Sequence, residues 1–310
     1  MYTGKYLLIL LLNVLILMIN LEVYATKSNK KNDTIKIVVH KTLPLPIIKK
    51  SFPSKKKVEY QGSSRFKIGV CLIGKNFSSI IVRIFCSLNS INENRNKVCT
   101  DNNRYLSINA MAKDYKVKKL SNFFKKYQML MIVRNPIDRL ISGFMQLCYY
   151  RIYLKPSEDY CFGCGKNLTC FINNLQDELW SVAENKKIPD QFFDYHYYPQ
   201  TWQCEYYKYK DKYKYLKYSE PNMKVFYKNI LAYLKSAHVP KEHLKYLKKF
   251  LQSTKTDHVT SSKNATNEYK SYLYNNTALL KQVCSMFYYD FIEFGFEIPK
   301  DCIDKKIEAK

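Results

Sequence analysis

The segment "GKNFSS" (74–79) places one lysine and two serines directly after an apolar run. Lys75, Ser78 and Ser79 follow "FKIGVCLI" (66–73), which has strand character, and precede "IIVRIFCSL", whose apolar residues recur at helical spacing. Helix amino termini attract anions, so lysine and hydroxyl groups at this point can bind a phosphate. The second glycine and the Gly-Lys-Ser/Thr ending of a Walker A loop are absent, which disfavours an ATP or GTP enzyme. Taken alone, the segment favours the alternative, an ordinary turn with a solvent-facing lysine.

A second group of polar residues follows the apolar run "QMLMIV" (128–133). Arg134 ends this run, where burial of its charge requires an anionic partner. An asparagine and a proline then open a helix on which Arg139 and Ser142 lie three residues apart and share a face. Pairing of Arg139 with a nearby carboxylate is the structural alternative. Two such segments, each at a strand end, predict a ligand with two separate anionic groups.

The elements that must position these residues form two strand-loop-helix units. Their near-continuous hydrophobic strands predict an α/β fold, a parallel β-sheet flanked by helices, with ligands beyond the carboxyl ends of the strands. Farther along, "LKYS" (216–219) predicts another strand, and residues 221–251 predict two amphipathic helices separated near Pro240. The low-complexity segment 206–218 predicts a solvated loop leading to that strand, with stacking on sugar rings as the alternative.

The amino-terminal segment predicts entry into the secretory pathway. Residues 1–26 contain a basic start and the apolar run "YLLILLLNVLILMINL", which fits either a signal-anchor in the membrane or a cleaved signal peptide. Residues 27–62 predict an extended lumenal stem, residues 63–302 the folded domain and residues 303–310 a charged tail.

The chain carries a formal charge of +25, with 51 lysines and arginines against 26 acidic residues. A composition bias toward lysine and attraction to polyanions such as nucleic acid, anionic lipid or acidic glycan remain alternative explanations. A nucleic-acid partner conflicts with the secretory segment, and none is expected. Sequons at Asn32, Asn167, Asn264 and Asn275 fit a lumenal location, whereas the sequon at Asn76 is expected to be buried and unused.

Ten cysteines in an oxidising compartment predict disulfide bonds, whose pairing the spacing leaves open. The segment "CFGCGKNLTC" (161–170), with Cys204 or His196, is a less favoured alternative set of zinc ligands. Cys71 and Cys86 lie inside apolar runs and predict core thiols.

The two polar segments carry a family resemblance. "VRNPIDRLISGF" (133–144) resembles the 3′-phosphate-binding motif of sulfotransferases, Arg-Asp-Pro-x-x-Arg-x-x-Ser-x-Phe. "IGKNFSS" (73–79) resembles their 5′-phosphosulfate loop, commonly Pro-Lys-x-Gly-Thr-Thr. Over residues 66–299 the layout is similar to the membrane-bound carbohydrate sulfotransferases, in the chondroitin 4-sulfotransferase-like branch found in nematodes. The resemblance implies a P-loop-like sulfotransferase fold.

The resemblance also implies a co-substrate, 3′-phosphoadenosine 5′-phosphosulfate, as the sulfate donor. The residues matched to donor binding are Lys75, Ser78, Ser79, Arg134, Arg139 and Ser142, with the first three at the 5′-phosphosulfate and Arg134 and Ser142 at the 3′-phosphate. The sequence departs from the motifs at Asn135, which replaces an aspartate, and at Phe77, which replaces a glycine and restricts the approach of the backbone.

Sulfuryl transfer requires in-line positioning and stabilisation of developing charge. Lys75 is expected to neutralise the leaving phosphate, and His196 is the first candidate for the base that activates a sugar hydroxyl. His258 is the second candidate, and a structural role is the alternative for His196. This chemistry requires no metal. The expected function is a carbohydrate sulfotransferase of the Golgi membrane, with a lumenal catalytic domain, acting on a chondroitin-like glycan. The alternative is an inactive, secreted glycan-binding protein on the same fold.

Overall fold

The computed structural model describes residues 23–24, 38–39, 43–48, 59–90, 103–152, 154–219, 222–253 and 264–303. Strands β1 and β2 pair with each other, and the other five described strands form one sheet. The described strands are β1 (Val23–Tyr24), β2 (Val38–Val39), β3 (Tyr60–Ser63), β4 (Ile68–Cys71), β5 (Arg104–Tyr105), β6 (Gln128–Arg134) and β7 (Tyr213–Tyr218).

Helices surround this sheet. The α-helices in the described ranges are α1 (Ser78–Asn89), α2 (Ile108–Asp114), α3 (Leu120–Lys126), α4 (Pro136–Phe144), α5 (Leu168–Ala183), α6 (Gln191–Tyr197), α7 (Tyr206–Tyr209), α8 (Met223–Ser236), α9 (Lys241–Ser253), α10 (Asn264–Asn275), α11 (Thr277–Met286) and α12 (Tyr288–Phe294). A π-helical turn, Met145–Tyr149, continues α4.

The sheet confirms the predicted α/β architecture. Its strand order is β5-β3-β4-β6-β7, and β4, β6 and β7 run parallel. The register pairs Arg134 at the end of β6 with Tyr218 at the end of β7. On the other side of β4, strand β3 pairs antiparallel with β4 and β5 pairs antiparallel with β3, and the sequence patterns predicted neither strand.

The central strands are buried on both faces, which explains their nearly continuous apolar sequences. Val70, Leu130 and Ile132 pack into the core cluster that contains α1, α8 and α9. Alternate residues such as Met131 and Val133 pack into the cluster on the opposite face. Successive side chains of a strand point to opposite faces, so each strand helps to build two cores.

The folded part starts upstream of the expected boundary at residue 63. Strand β3 begins at Tyr60, and part of the expected stem packs against the domain. Leu45 is 2% exposed, and its N–H donates to the carbonyl oxygen of Ser285 at 3.3 Å. The indole N–H of Trp202 donates to the carbonyl oxygen of Pro46 at 2.8 Å.

The segment 206–218 is not a solvated loop. It contains the short helix α7 and all of β7, and Tyr206, Tyr209 and Tyr213 are buried. Tyrosines three and four residues apart lie on one face of a turn, which gives this low-complexity sequence an apolar side. The two helices predicted for residues 221–251 are confirmed as α8 and α9.

The described cysteines form disulfide bonds and are neither core thiols nor zinc ligands. Four bonds join Cys71 to Cys204, Cys148 to Cys161, Cys164 to Cys170 and Cys284 to Cys302. Cys86 is also disulfide-bonded. The predicted core thiols at Cys71 and Cys86 were therefore wrong, because apolar surroundings do not distinguish a buried thiol from a buried disulfide. The same bonds occupy the cysteines of the alternative zinc set.

The sequon at Asn76 is buried, as predicted, with 2% of its surface exposed. Asn167, Asn264 and Asn275 are exposed. Asn32 and residues 1–22 lie outside the described residues, as do the tail beyond Ile303 and His258. Within the described ranges, no helix has the length and apolar character needed to span a membrane.

Candidate active site

The first predicted anion-binding segment forms a tight loop between β4 and α1. Residues 74–79, here called the lysine loop, include two non-glycine residues in the left-handed region, Lys75 at φ 69° and Phe77 at φ 67°. This region is strained for residues that carry a Cβ atom. A Cβ atom at Gly74 would lie 2.3 Å from the carbonyl oxygen of Tyr195. The loop is therefore packed closely against α6.

The first turn of α1 adds backbone donors to the lysine loop. Within the described part of the chain, no backbone carbonyl accepts a hydrogen bond from the N–H groups of Phe77, Ser78 or Ser79. The helix is 12 residues long, so its amino terminus carries a partial positive charge. Backbone donors and a lysine at this position form a site for an anion.

The Phe77 ring belongs to an aromatic cluster that supports the loop. It contacts Phe226 edge-on, with ring centroids 5.0 Å apart, and lies 5.6 Å from Tyr218 and 6.0 Å from Tyr227. Each aromatic pair contributes about 0.5–1.5 kcal/mol beyond its burial. A strained backbone conformation costs about 1–3 kcal/mol. The packing of its ring therefore offsets the strain of a phenylalanine in the position of the motif glycine.

Arg134 lies at the end of β6, beside the lysine loop. Its Nη1 donates to the carbonyl oxygen of Lys75 at 3.0 Å, and its guanidinium carbon lies 5.0 Å from the ring centroid of Tyr218. The residue is 6% exposed. The structure thus brings the two predicted segments into direct contact.

Gln200, which the sequence patterns did not single out, joins the same two segments. Its Oε1 accepts from the backbone N–H of Arg134 at 2.9 Å and from Nδ2 of Asn76 at 2.5 Å. Its Nε2 donates to the carbonyl oxygen of Arg134 at 2.9 Å. Asn76 also donates to the carbonyl oxygen of Ile132 at 2.9 Å. A single buried amide therefore fixes the spacing between the lysine loop and β6.

A buried carboxylate on α12 holds Gln200 in place. Oδ2 of Asp290 accepts from the backbone N–H of Gln200 at 2.7 Å, and Oδ1 accepts from the backbone N–H of Thr201 at 2.9 Å. Burial raises the pKa of Asp290, while these hydrogen bonds and the charge of Arg139 act in the opposite direction. The carboxylate is satisfied by backbone donors of the turn that presents Gln200.

Arg139 is 2% exposed and binds backbone carbonyl groups. Its Nε donates to Gly74 at 3.0 Å, its Nη1 to Tyr198 at 2.7 Å and its Nη2 to Tyr195 at 3.1 Å. Burial lowers the pKa of Arg139 to about 10. Its side chain therefore connects the start of the lysine loop to α6 and positions the loop. The contacts given for Arg139 are with backbone carbonyl groups, and not with the carboxylate considered as the alternative.

Lys75 contacts a residue from the π-helical turn. Its Nζ donates to Oε1 of Gln146, which is 9% exposed. Burial, followed by the positive charges of Arg134 and Arg139, lowers the pKa of Lys75 to about 7. Turns of π-helix frequently occur at functional sites, and here the turn supplies the partner of the lysine. A bound anion would favour the charged amine, because an opposite charge stabilises it.

His196 lies on α6, the helix that touches both segments. The carbonyl oxygen of Phe192 lies 2.8 Å from Nδ1 of His196, so Nδ1 carries the proton and Nε2 is the basic nitrogen of the neutral ring. The preceding residue, Tyr195, hydrogen-bonds Ser78 and contacts Gly74. The following residue, Tyr197, packs so closely on Gly143 that a Cβ atom there would lie 2.8 Å from its ring.

The two remaining predicted serines differ in environment. Ser79 is exposed in the first turn of α1, and Ser142 is half-buried on α4, one turn after Arg139. Of the zinc alternative, only His196 lies in this site as a possible ligand, because Cys161, Cys164, Cys170 and Cys204 are held in disulfide bonds. Lys75, Arg134 and the N–H groups at the start of α1 together fit a ligand with more than one anionic group, because these donors lie on two adjacent segments that are in direct contact.

Comparisons with known proteins agree with this geometry. A model of the sulfotransferase family matches residues 59–297. Three relatives come from Caenorhabditis elegans. Uncharacterized protein C18B2.2 is 27% identical over 258 residues, 79% of this chain and 70% of the relative. The putative sulfotransferase vep-2 is 28% identical over 222 residues, 67% of each chain. The carbohydrate sulfotransferase chst-1 is 25% identical over 253 residues, 77% of this chain and 75% of the relative.

No solved structure matches the chain significantly. The family match covers the sheet, both anion-binding segments and α6, and it extends to the end of α12. It therefore includes every described residue that the site requires. The protein belongs to the sulfotransferase family and is a sulfotransferase.

Proposed function

We propose that this sulfotransferase moves sulfate from 3′-phosphoadenosine 5′-phosphosulfate to a hydroxyl group of a chondroitin-like glycan. The observation that carries the proposal is the contact between its two cationic segments, in which Arg134 donates to the backbone of Lys75. A nucleotide with separate 3′ and 5′ anionic groups matches two adjacent sites of positive charge. The relative chst-1, named a carbohydrate sulfotransferase, supports a glycan as the acceptor class.

The lysine loop binds the 5′-phosphosulfate in this proposal. Lys75 and the N–H groups at the start of α1 neutralise the charge that develops on the leaving phosphate. Ser78 and Ser79 add hydroxyl donors. Arg134 and Ser142 hold the 3′-phosphate, while Arg139 sets the position of the loop through the carbonyl oxygen of Gly74.

His196 is the proposed general base for the acceptor hydroxyl. Its Nδ1 faces the carbonyl oxygen of Phe192, so Nε2 is the atom that takes the proton. The rings of Phe192 and Tyr195, with centroids 4.2 Å and 4.8 Å from the imidazole, supply apolar surface on which a sugar ring can stack. In this proposal the domain lies in the Golgi lumen, because the apolar run within residues 1–26 fits a signal-anchor in the membrane or a cleaved signal peptide.

The test is thermal unfolding of the full chain with and without adenosine 3′,5′-bisphosphate, the desulfated donor. At 100 times the dissociation constant, the ligand should stabilise the parent by about 2.7 kcal/mol. Arg134→Ala should lose this stabilisation. Arg65→Ala is the matched control, because Arg65 is exposed in the turn between β3 and β4, at the opposite end of the strands.

A well-folded parent that shows no shift would contradict the proposed donor. Sulfate transfer to chondroitin, followed by mass spectrometry of the glycan, tests the second half of the reaction. Binding to acidic glycans that does not depend on the donor, without sulfate transfer, would support the alternative of an inactive glycan-binding protein on the same fold.

A further inference from the structure

Two neighbouring helices, α8 and α9, carry a group of exposed lysines that the proposed chemistry does not use. These lysines, here called the lysine ridge, are Lys224, Lys228, Lys235, Lys241, Lys245, Lys248 and Lys249. Glu242 is the single acidic residue within the two helices. The helices pack against each other after the turn at Pro240, so their lysines lie on adjacent elements.

The spacing concentrates the charge of each helix on one side. Lys224 and Lys228 are four residues apart, and Lys235 follows after two further turns on the same face. On α9, Lys241, Lys245 and Lys248 repeat this arrangement. The buried apolar residues of both helices pack into the core cluster on one side of the sheet, which leaves these lysines toward solvent. Lys224 and Lys235 are about 16 Å apart along α8, since a helix rises 1.5 Å per residue.

The arrangement is unfavourable for the isolated helices. Like charges four residues apart destabilise a helix by about 0.2–0.5 kcal/mol per pair. Lys224 also lies in the first turn of α8, where the helix dipole disfavours a cation and no acidic residue compensates. These energies are small individually, but they all have the same sign. An external anion would reverse them.

Internal carboxylates do not neutralise the ridge. In the described ranges, none of its seven lysines forms an ion pair. Lysines elsewhere do, including Lys187 with Glu178, Lys210 with Glu293 and Lys270 with Asp138. Many exposed lysines outside the ridge, including those near α3, also lack an ion pair within the described residues, so the ridge differs from them in the concentration of seven lysines against one acidic residue on two neighbouring helices.

The ridge begins beside the lysine loop. Tyr227 lies on α8 between Lys224 and Lys228, and its ring centroid is 6.0 Å from that of Phe77 in the loop. Phe226 on the same turn contacts Phe77 edge-on. Helix α8 itself carries no acidic residue, so a linear anionic molecule that reaches the lysine loop would meet lysines and no carboxylate along the described length of this helix.

We propose that the lysine ridge binds an extended acidic glycan, the acceptor chain of the transferase, away from its reacting sugar. This inference rests on the proposed function for the identity of the polymer. The repeating carboxylates of such a chain complement a row of regularly spaced ammonium groups, and a flexible lysine tolerates variation in their spacing.

The experiment measures binding of the full chain to immobilised unsulfated chondroitin over a range of salt concentrations. The ridge variant combines Lys224→Glu, Lys228→Glu and Lys235→Glu. The matched control combines Lys118→Glu, Lys125→Glu and Lys126→Glu, three exposed lysines near α3 at the opposite end of β6, with the same change in net charge. The ridge variant should lose at least about tenfold in affinity and bind with a weaker salt dependence, whereas the control should lose much less.

Equal losses in both variants would overturn the proposal, because net charge alone would then explain binding. Unchanged binding in the ridge variant would overturn it as well. A DNA duplex that displaces chondroitin from the ridge at a lower charge concentration would overturn the glycan as the partner.

The thermal shift with adenosine 3′,5′-bisphosphate should remain in both variants, which shows that the fold and donor site are intact. A parent without that shift would contradict the proposed donor, while the comparison of the two variants would still decide the ridge.

Discussion

Lys75 is the residue through which the proposed donor binding should change a protonation state. Its pKa of about 7 in the free protein results from burial and from two neighbouring arginines. At about pH 8 most of the free protein therefore has a neutral amine, whereas a bound phosphate would raise the pKa and recharge it. Binding should then take up a proton.

Calorimetric titration with adenosine 3′,5′-bisphosphate in two buffers of different ionisation enthalpy measures this uptake. The observed enthalpy should depend on the buffer, with an uptake approaching one proton at about pH 8. In Lys75→Met the lysine contribution should disappear, leaving only protons that belong to the nucleotide. An identical uptake in the parent and this variant would show that Lys75 does not change its charge.

Gln146 is expected to tune the same amine. In Gln146→Glu a carboxylate replaces the amide beside Nζ, so the pKa of Lys75 should rise in the free protein and proton uptake at about pH 8 should fall. Gln252→Glu, at the exposed end of α9, introduces the same charge far from the lysine and should leave the uptake unchanged. The expectation fails if the two variants behave alike in the calorimeter.

The charged residues of the site could be predicted from the sequence, and its amides could not. Lys75 and Arg134 each follow an apolar strand and precede a helix. A cation at such a position predicts an anion site in the sequence, because the helix amino terminus also attracts anions. Gln200 carries no charge and reaches Asn76 across 124 residues of sequence. Gln146 reaches Lys75 through a π-helical turn, which has no reliable sequence pattern. Such contacts depend on tertiary packing.

Among the elements, the disulfide between Cys71 and Cys204 should contribute most to the position of the site. It links the end of β4, just before the lysine loop, to the chain just after Gln200. Its sequence separation is 133 residues, compared with 6 residues for the bond between Cys164 and Cys170. Loop-closure entropy predicts about 5 kcal/mol for the long loop and about 2 kcal/mol for the short one.

Denaturant unfolding of two double variants measures this difference. Cys71→Ala with Cys204→Ala should lower the free energy of unfolding by more than Cys164→Ala with Cys170→Ala, and it should also weaken binding of the bisphosphate. The short-loop variant is the control for removal of a disulfide as such. Equal losses of stability, with donor binding unchanged in both, would contradict the role given to the long-range bond.

Strands that are buried on both faces were easier to predict from the sequence than short strands. Strands β4 and β6 are buried on both faces, and their apolar runs were found easily. Strand β5 has only two residues. Strand β3 has four, which lie across the boundary predicted between the stem and the folded domain. Neither strand is long enough to show a periodic pattern in the sequence. The burial of tyrosines in segment 206–218 was not predicted, because lysines alternate with them in the sequence. A prediction from composition averages over the buried and the exposed side of the segment.

At the scale of the whole molecule, the dominant feature is the net charge of +25. Seven of the 51 basic residues are arginine, and the two that touch the lysine loop, Arg134 and Arg139, are buried. The lysines in the described part of the chain, in contrast, are mostly at the surface, where they repel one another over about 10 Å at an ionic strength of about 0.1 M. The charge thus has a local role at the site and a global effect on stability.

Salt should therefore stabilise the fold and at the same time lower its affinity for anionic ligands. Raising sodium chloride from about 0.05 M to about 0.5 M screens the mutual repulsion, and a gain of about 1 kcal/mol would raise the melting temperature by about 2 °C in a domain of this size. Affinity for adenosine 3′,5′-bisphosphate should fall over the same range, because its attraction to Lys75 and Arg134 is screened as well. Arg134→Ala separates screening from binding of chloride at the donor site. If screening is the cause, this variant gains as much thermal stability as the parent, whereas a gain confined to the parent would show that the stabilising anion occupies the site itself.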